Sequence, residues 1–378
     1  MKRDRIIFDV SMAQGGGGFT YAVNVLPSLA ERLDGADLLV LTRNRRLAES
    51  IPTASNLRVE LMPEVGFAAR IAFLADGASR VARNFEASLY YSASELSLEL
   101  SPFRCPCPKI AAFRNPNIFT ALDQHWPWTQ RIRLATLGIL AKYSVRTCDR
   151  ILFVSGDSSE WIGRKINIPQ QKRVTVPHGI DPSRWVSVGR DNPLTRPYIL
   201  SVSSVYRYKN FVRLINAWTR IAARWPEVPD LVIVGDEQDR PYGLEMERAR
   251  RDAGGLASRI HLVGEVPYSE ISAYYEHANA FVFPSYLETF GHPLLEAMAA
   301  GLPVVASDIG VFREIGGKAA IYFPPYEIDE MATAIERAVR DESQRAELVR
   351  LGHDRVAEYP WQKTVERLKA LFGEVLRS

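Results

Sequence analysis

The stretch that most constrains this chain runs from Phe281 to Asp308, FVFPSYLETFGHPLLEAMAAGLPVVASD. Residues 281–283 form a short apolar β-type run, and residues 284–291 form a loop opened by a proline. Pro293 suits the first turn of a helix, where its missing N–H costs nothing. Gly301 suits the left-handed residue that ends a helix, and Pro303 prevents continuation. Residues 302–306 then make a second buried strand. Strand, loop, helix, strand is a repeating unit of layered α/β domains.

The start of that helix lacks the usual cap. His292 precedes Pro293 and follows Gly291, and none of the three is Ser, Thr, Asp or Asn. The first-turn N–H groups are left without an evident internal acceptor. A glycine before an open helix start suits a phosphate oxygen, which the helix dipole also favours. Two carboxylates flank the position, Glu288 in the loop and Glu296 about one turn into the helix. Carboxylates repel phosphate but accept hydroxyl protons well. The combination describes a site for a nucleotide sugar, with ribose on one side of the phosphates and hexose on the other. Taken singly, each is better read blandly, Glu296 in a helix-dipole role and Glu288 as a solvated loop charge. The pair around an open helix start favours the sharper reading.

The pattern E-x7-E followed by A-M-A-x-G-x-P-V-V-A-S resembles the retaining glycosyltransferases of family GT4. Members have the α/β fold called GT-B: two Rossmann-like, doubly wound domains facing each other across a cleft that holds the active site. The resemblance implies that Glu288 contacts hydroxyls of the transferred sugar and that Glu296 holds the ribose hydroxyls. It also places backbone N–H groups of Phe290, Gly291, His292 and Leu294 near the diphosphate.

Composition narrows the class. At 378 residues the chain is too long for one ordinary core, so two domains of roughly 180 residues are expected. A hydrophobic fraction of 47% with 24% charged residues is that of a soluble globular protein. A net charge of +3 argues against a dedicated nucleic-acid binder. Cys105, Cys107 and Cys148 cannot make a disulfide framework, and Cys105-Pro106-Cys107 lacks a second pair for zinc. A reducing cytoplasm is the expected compartment. The N-terminal apolar run is too short for a signal peptide, and no window reaches 18 uninterrupted apolar residues. Lying on a membrane surface stays open.

In chain order, residues 5–10 form an apolar β run. Four glycines at 15–18 precede an amphipathic helix with Tyr21, Val25, Leu26, Leu29 and Leu33 on one face. This opens a doubly wound domain. A dinucleotide fingerprint fails, because Thr20 or Tyr21 stands where its third glycine belongs. The glycines allow a ligand close to the backbone. In the resembled family this loop faces the reaction centre and the acceptor, which makes Gly16, Gly17, Gly18 and Tyr21 candidates. A plain βα turn is the competing reading. Further β runs at 38–42, 57–62, 89–92, 110–113, 151–154 and 172–176, separated by helix-like stretches, predict a parallel sheet.

Residues 67–85 are basic and apolar, with Phe67, Arg70, Phe73, Arg80 and Arg83 among them. They suit either an anionic membrane surface near a lipid-linked acceptor or an ordinary packed helix, which is the expected outcome. His125-Trp126-Pro127-Trp128 with Arg131 and Arg133 is a second candidate rim, with buried tryptophan packing as the expected alternative. Many family members carry His-Asp after the strand at 110–113, where this chain has Arg114 and Asn115. Asn115 can exchange hydrogen bonds with sugar hydroxyls but cannot act as a base. The segment from Val176 to Asp181, VPHGID, resembles the family's interdomain connection, with His178 and Asp181 in a ligand contact or a turn. The polar stretch 186–197 suggests the boundary, giving domains 1–186 and 187–358, with 359–378 as a helix crossing back.

The second domain opens with a strand at 198–203 and a loop carrying Ser204, Arg207 and Lys209. Asn210 is the expected cap of a helix at 211–225. Negative charge grows on a leaving diphosphate as the glycosidic bond breaks, and cations at the carboxyl end of a strand are placed to meet it. The family has a basic pair in this loop. Lys209 matches one member, while Ser204 stands where the usual Arg belongs, so Arg207 must reach the diphosphate from a shifted position. Strands follow at 231–234 and 260–263, then a helix at 268–277. In the resembled fold, backbone near Val263 and Val266 meets the nucleobase. A last strand at 319–323 and helices at 327–340, 343–359 and 361–376 finish the chain.

The expected activity is transfer of a hexose to an acceptor hydroxyl with retained configuration and with no cofactor or metal. GDP-mannose is the first donor and UDP-hexoses are next. The commonest family setting is assembly of bacterial surface polysaccharide (O-antigen, capsule or exopolysaccharide) on a lipid carrier. That setting places the enzyme in the cytoplasm, peripheral to the inner face of the cell membrane, with a glycan or lipid-linked glycan as acceptor. A sugar-nucleotide epimerase or a phosphorylase of the same architecture is the alternative. So is a non-catalytic partner in a glycan assembly complex, prompted by Arg114 and Asn115.

Overall fold

The structure is a computed structural model that describes residues 3–12, 16–52, 54–97, 105–120, 126, 128–186, 188–267 and 269–377. The chain divides into two compact units, Met1–Gly179 with Trp361–Ser378, and Ile180–Pro360.

The first unit is built on β1 (Asp4–Asp9), β2 (Ala36–Thr42), β3 (Leu57–Leu61), β4 (Leu89–Ser92), β5 (Lys109–Phe113), β6 (Arg150–Phe153) and β7 (Arg173–Thr175). Their spatial order is β3-β2-β1-β4-β5-β6-β7, and every pairing is parallel. Central strands such as β4 and β5 are buried throughout, because helices cover both faces of a parallel sheet.

The helix Gly16–Arg32 buries Tyr21, Val25, Leu26 and Leu29. Gly16, Gly17 and Gly18 form its first turn rather than a separate loop. The apolar face holds the helix on the sheet from Tyr21 onward, and glycine accepts helical backbone angles. The last helix, Trp361–Arg377, belongs to this unit: Phe372 packs on Tyr91 at 5.4 Å, and the Thr364 hydroxyl donates to the Pro177 carbonyl at 2.8 Å.

Residues 67–85 fold as Phe67–Ala72, a π-helical turn Phe73–Gly77, and Ala78–Asn84. Ala78 and Ala82 pack with Ile7, Leu39 and Tyr90, so the packed-helix expectation holds for the second half of this stretch, whereas no residue of Phe67–Ala72 is buried. Of the two tryptophans further on, Trp126 is buried but Trp128 is exposed.

The second unit is built on β8 (Tyr198–Val202), β9 (Asp230–Val234), β10 (Ile260–Gly264), β11 (Ala280–Phe283), β12 (Val304–Ser307) and β13 (Ala320–Phe323). The order is β10-β9-β8-β11-β12-β13, again all parallel. Trp218, Phe211, Ile233 and Val282 centre its core with Met331 and Ile335.

The boundary differs from the expected one at 186. Residues 180–197 belong to the second unit because Trp185 packs edge-on against Tyr275 at 5.0 Å and the Gly189 N–H donates to Glu276 at 2.9 Å. The Arg190 guanidinium pairs with the same carboxylate. The polar composition of 186–197 thus marks a surface strap, not a linker.

Asn210 differs too. It sits at the cap position of the helix Phe211–Arg224, but at φ 65° and with no capping side-chain bond. Its amide instead donates to the carbonyls of Pro284 at 3.0 Å and Pro325 at 2.6 Å, tying the loops after β11 and β13 together. The helix His292–Ala299 ends as expected, with Leu302 N–H on Ala297 and Gly301 N–H on Met298, the two bonds of a Schellman motif.

In the second sheet the strand order reverses between β8 and β11. Open α/β sheets bind ligands outside the carboxyl ends of the strands at such a reversal.

Candidate active site

Lys209 and Glu288 meet at that reversal. Lys209 ends the 3-10 turn Arg207–Lys209 after β8, and Glu288 lies in the loop after β11. The Lys209 ammonium is 2.5 Å from the Glu288 carboxylate, with side chains only 10% and 11% exposed. The rings of Tyr208 and Phe283 lie 5.0 Å and 5.6 Å from the same nitrogen, within cation–π range. Sequence reasoning assigned the cation and the carboxylate to different parts of a donor; the structure pairs them with each other. A phosphate group is the natural competitor for that lysine.

The helix start borders the same Phe283 ring. Gly291 adopts φ 90°, ψ 57°, and no side chain caps the helix His292–Ala299. A Cβ on Gly291 would stand 2.8 Å from the Phe312 ring and 3.3 Å from the Phe283 ring. Both the left-handed backbone and the lack of space therefore require glycine. Gly291→Ala is expected to lower unfolding free energy by roughly 2–4 kcal/mol, read from the denaturant midpoint. Phe290 is buried against Tyr359, with its ring 5.0 Å from that of His292. Leu294 is fully buried, and its N–H donates to the Gly291 carbonyl at 3.0 Å. That amide is occupied within the turn, so the expectation that it faces a diphosphate is corrected.

Glu296 follows on the same helix and is half-buried. Tyr275, fully buried on the helix Ile271–His277, donates its hydroxyl to Glu296 Oε2 at 3.0 Å. Burial pushes the Glu296 carboxyl up to about 7, while the Tyr275 hydrogen bond and the nearby Arg184 charge act in the opposite direction. A carboxylate held at one oxygen keeps the other for an incoming hydroxyl. Sequence reasoning missed Tyr275. Its place on a helix facing β11 was legible, but the target of its hydroxyl was not.

Arg207 does not join this group. Its guanidinium grips the Glu245 carboxylate with two nitrogens, one at 2.8 Å, and lies 5.0 Å over the Tyr242 ring. The Glu245 hydrogen bonds raise its pKa further. The expectation that Arg207 reaches across to a diphosphate is corrected by this commitment to the helix Arg240–Asp252. Ser204 is half-buried beside the point where Gly235 passes the end of β8. A Cβ on Gly235 would collide with the Ser203 carbonyl, and the Gly235 N–H donates to the Gly264 carbonyl at 2.8 Å. These contacts tie the carboxyl ends of β8, β9 and β10 into one rim. Val263, at a register shift of β10, and Val266 are half-buried at its far edge.

The candidates of the first unit fare unevenly. Tyr21 is 2% exposed, with its hydroxyl 2.8 Å from that of Tyr91 and its ring stacked on His178 at 5.0 Å. It is a core residue, and the expectation of sugar contact is corrected; His178, buried with it, is likewise structural. Asp181, at the start of the second unit, accepts hydrogen bonds from Ser183 and so takes the turn alternative. The Arg114 guanidinium covers the Tyr21 ring at 4.7 Å. Glu95, which sequence reasoning did not single out, accepts the N–H groups of both Arg114 and Asn115 at 2.9 Å and 2.5 Å. Asn115 itself is exposed and accepts from the Asn117 N–H at 3.0 Å. A Cβ on Gly17 would meet nothing within 4 Å. Gly15, His125, Pro127 and Tyr268 lie outside the described residues.

Two family models match the chain, "Glycosyltransferase Family 4" over residues 15–184 and "Glycosyl transferases group 1" over residues 188–355. The O-antigen chain mannosyltransferase RfbU of Salmonella typhimurium is 28% identical over 197 residues, 52% of this chain and 53% of that protein. The phosphatidyl-myo-inositol mannosyltransferase of Mycolicibacterium smegmatis is 28% identical over 262 residues, 66% of this chain and 64% of that protein. The chain thus matches between about half and two thirds of the length of these relatives. The solved structure of Anabaena HepE in complex with UDP and glucose superposes with a TM-score of 0.77 at 17% identity, covering 98% of this chain and 100% of that one. At that identity the likeness is one of fold, and the fold is GT-B. With one family model on each half and two parallel sheets of the GT-B kind, the chain belongs to glycosyltransferase family 4.

Proposed function

We propose that this chain transfers a hexose from a nucleoside diphosphate sugar to an acceptor hydroxyl with retention of anomeric configuration. The observation that carries this reading is the Lys209–Glu288 pair at the strand-order reversal, beside a glycine-led helix start that no side chain caps. The diphosphate takes the helix start, where the dipole and the backbone N–H groups of Gly291 and His292 favour negative charge. It draws the Lys209 ammonium from Glu288, which is then free to accept hydroxyls of the hexose. Glu296 accepts the ribose hydroxyls through the oxygen that Tyr275 leaves open. The rim of Ser204, Val263 and Val266 faces the base.

As the bond from the anomeric carbon to the phosphate oxygen breaks, charge grows on that oxygen, and Lys209 stabilises it. The same oxygen takes the acceptor proton as the new glycosidic bond forms on the same face. No cofactor beyond the donor enters these steps.

The names of the two mannosyltransferase relatives support mannose, so GDP-mannose is the first donor; the UDP and glucose bound by the Anabaena protein keep UDP-hexoses second. The O-antigen relative supports a place in bacterial surface polysaccharide synthesis, with a glycan or lipid-linked glycan as acceptor, on the cytoplasmic side of the membrane. A thermal-shift panel with GDP, UDP, ADP and dTDP tests the reading. GDP is expected to give the largest shift, about 2.7 kcal/mol of added stability at a hundredfold excess over Kd. No shift with any of the four would sink it.

A further inference from the structure

The segment Cys105-Pro106-Cys107-Pro108 leads into β5 and plays no part in the candidate site. Its two sulfurs lie 3.5 Å apart in a hydrogen bond. Each cysteine is followed by a proline, which fixes φ, and the Pro108 carbonyl accepts the Tyr90 N–H of β4 at 3.0 Å. The backbone thus holds the two thiols side by side on a fixed support. Both cysteines are half-buried against the cluster of Ala78, Ala82 and Tyr90, while Pro106 between them is exposed. A small solute can therefore reach the pair from one side. The hydrogen bond to Cys105, and burial after it, push the Cys107 thiol well above its ordinary range. Cys107 keeps its proton and acts as the donor, which leaves the Cys105 sulfur as the attacking group. Cys148 stands apart: it is 2% exposed, and burial pushes its thiol up to about 11, as in an inert structural cysteine.

We propose that Cys105 and Cys107 form a reversible dithiol–disulfide couple, oxidised by a small disulfide such as glutathione disulfide. The Cys105 thiolate attacks one glutathione sulfur, a mixed disulfide forms, and the first glutathione leaves as a thiolate that takes up the Cys105 proton. Cys107 loses its proton to solvent as it attacks the Cys105 sulfur. The internal disulfide forms, and the second glutathione leaves and is protonated in turn. Two protein thiols are oxidised and one glutathione disulfide is reduced to two thiols. The sulfurs have only to close from 3.5 Å to a bond of about 2.05 Å, with no partner brought from elsewhere in the chain. The ring so closed spans a single intervening residue, and a strained ring is readily reduced. The couple is therefore open in a reducing cytoplasm and closes when the poise turns oxidising. One reversible bond of this kind is a redox sensor, not a structural framework. It uses none of the donor-site residues, so it stands apart from the transfer reading.

The test equilibrates the folded full chain in glutathione buffers of graded poise, blocks remaining thiols by alkylation, and reads intact mass and peptide linkage. At the oxidising poise of a secretory compartment at least about half of the chains are expected to lose two hydrogens, with the bond mapped to Cys105 and Cys107. At cytosolic poise less than about a tenth should be oxidised, and excess reduced glutathione should restore both thiols. Cys107→Ser removes the second thiol, so the mixed disulfide on Cys105 should accumulate at least about tenfold above the wild-type level. Cys148→Ser should leave the couple unchanged. Linkage mapping on the wild-type chain decides the matter even if a variant folds poorly. Wild-type protein that keeps both thiols at the oxidising poise overturns the proposal. So does a bond to Cys148 or between two chains in place of the internal one, or an internal bond that reduced glutathione does not open.

Discussion

Glu288→Ala is expected to lower kcat at least about a thousandfold while binding of a nucleoside diphosphate persists or tightens. The first half follows from the proposed role: a carboxylate orienting the hexose at the breaking bond would act on transition-state geometry, where small misplacements cost large factors. The second half follows from the pair. In the structure Glu288 occupies the Lys209 ammonium at 2.5 Å, so a diphosphate must displace it. Removing the carboxylate frees the lysine for phosphate.

It also leaves a nearly buried cation unpaired, which costs about 3 kcal/mol without ligand. The variant should therefore melt early alone and recover when GDP is added. Lys209→Gln should behave conversely, with a weakened GDP shift and a kcat reduced about a hundredfold through lost stabilisation of the leaving phosphate. Steady-state rates with GDP-mannose and melting curves with and without GDP read both. Wild-type turnover in Glu288→Ala would refute the assignment. A GDP shift that falls in step with kcat in that variant would make the pair merely structural.

The strands were legible because a parallel sheet covered on both faces needs continuous apolar segments, and segments such as YILSV and DLVIV announce themselves. The helix start was legible for a local reason: Gly291, His292 and Pro293 adjoin, and the missing cap is visible in three letters. What the sequence hid was partner choice across distance. Lys209 and Glu288 are 79 residues apart, and Arg207 and Glu245 are 38 apart. Nothing in the spacing says that one cation turns to a loop carboxylate and the other to a helix. Tyr21 reads the same as a ligand contact or as core, because a tyrosine has an apolar body and a polar tip; Tyr91 and His178 decide the matter from remote segments. Asn210 looked like a cap because Asn favours both caps and the left-handed conformation. Here the second preference prevailed, since its amide bridges two loops.

With Glu296 holding the donor ribose as proposed, donor binding and stability are expected to depend on pH in opposite directions. Its folded-state pKa of about 7 lies above the ordinary 4.5, chiefly because of burial. Between those values the folded protein holds a proton that the unfolded chain has released. The stability tied to that proton is therefore complete below about pH 4.5 and is lost as pH rises to about 7. The interval corresponds to at most roughly 3 kcal/mol, since the side chain keeps some contact with water. Glu296→Gln, which never ionises, should match the wild-type melting temperature near pH 4.5 and exceed it at pH 8. Ribose recognition runs the other way, because only the carboxylate accepts two hydroxyl protons. Wild-type KM for the donor should rise as pH falls below about 7, with kcat little changed. Glu296→Gln should show a KM raised about ten- to a hundredfold and flat with pH. Tyr275→Phe removes the one hydrogen bond that lowers this pKa, so the inflection should move to higher pH. A purely structural role for Tyr275 would lower stability without moving the inflection. A wild-type KM that stays level from pH 6 to pH 8 would show that this carboxylate does not hold the donor.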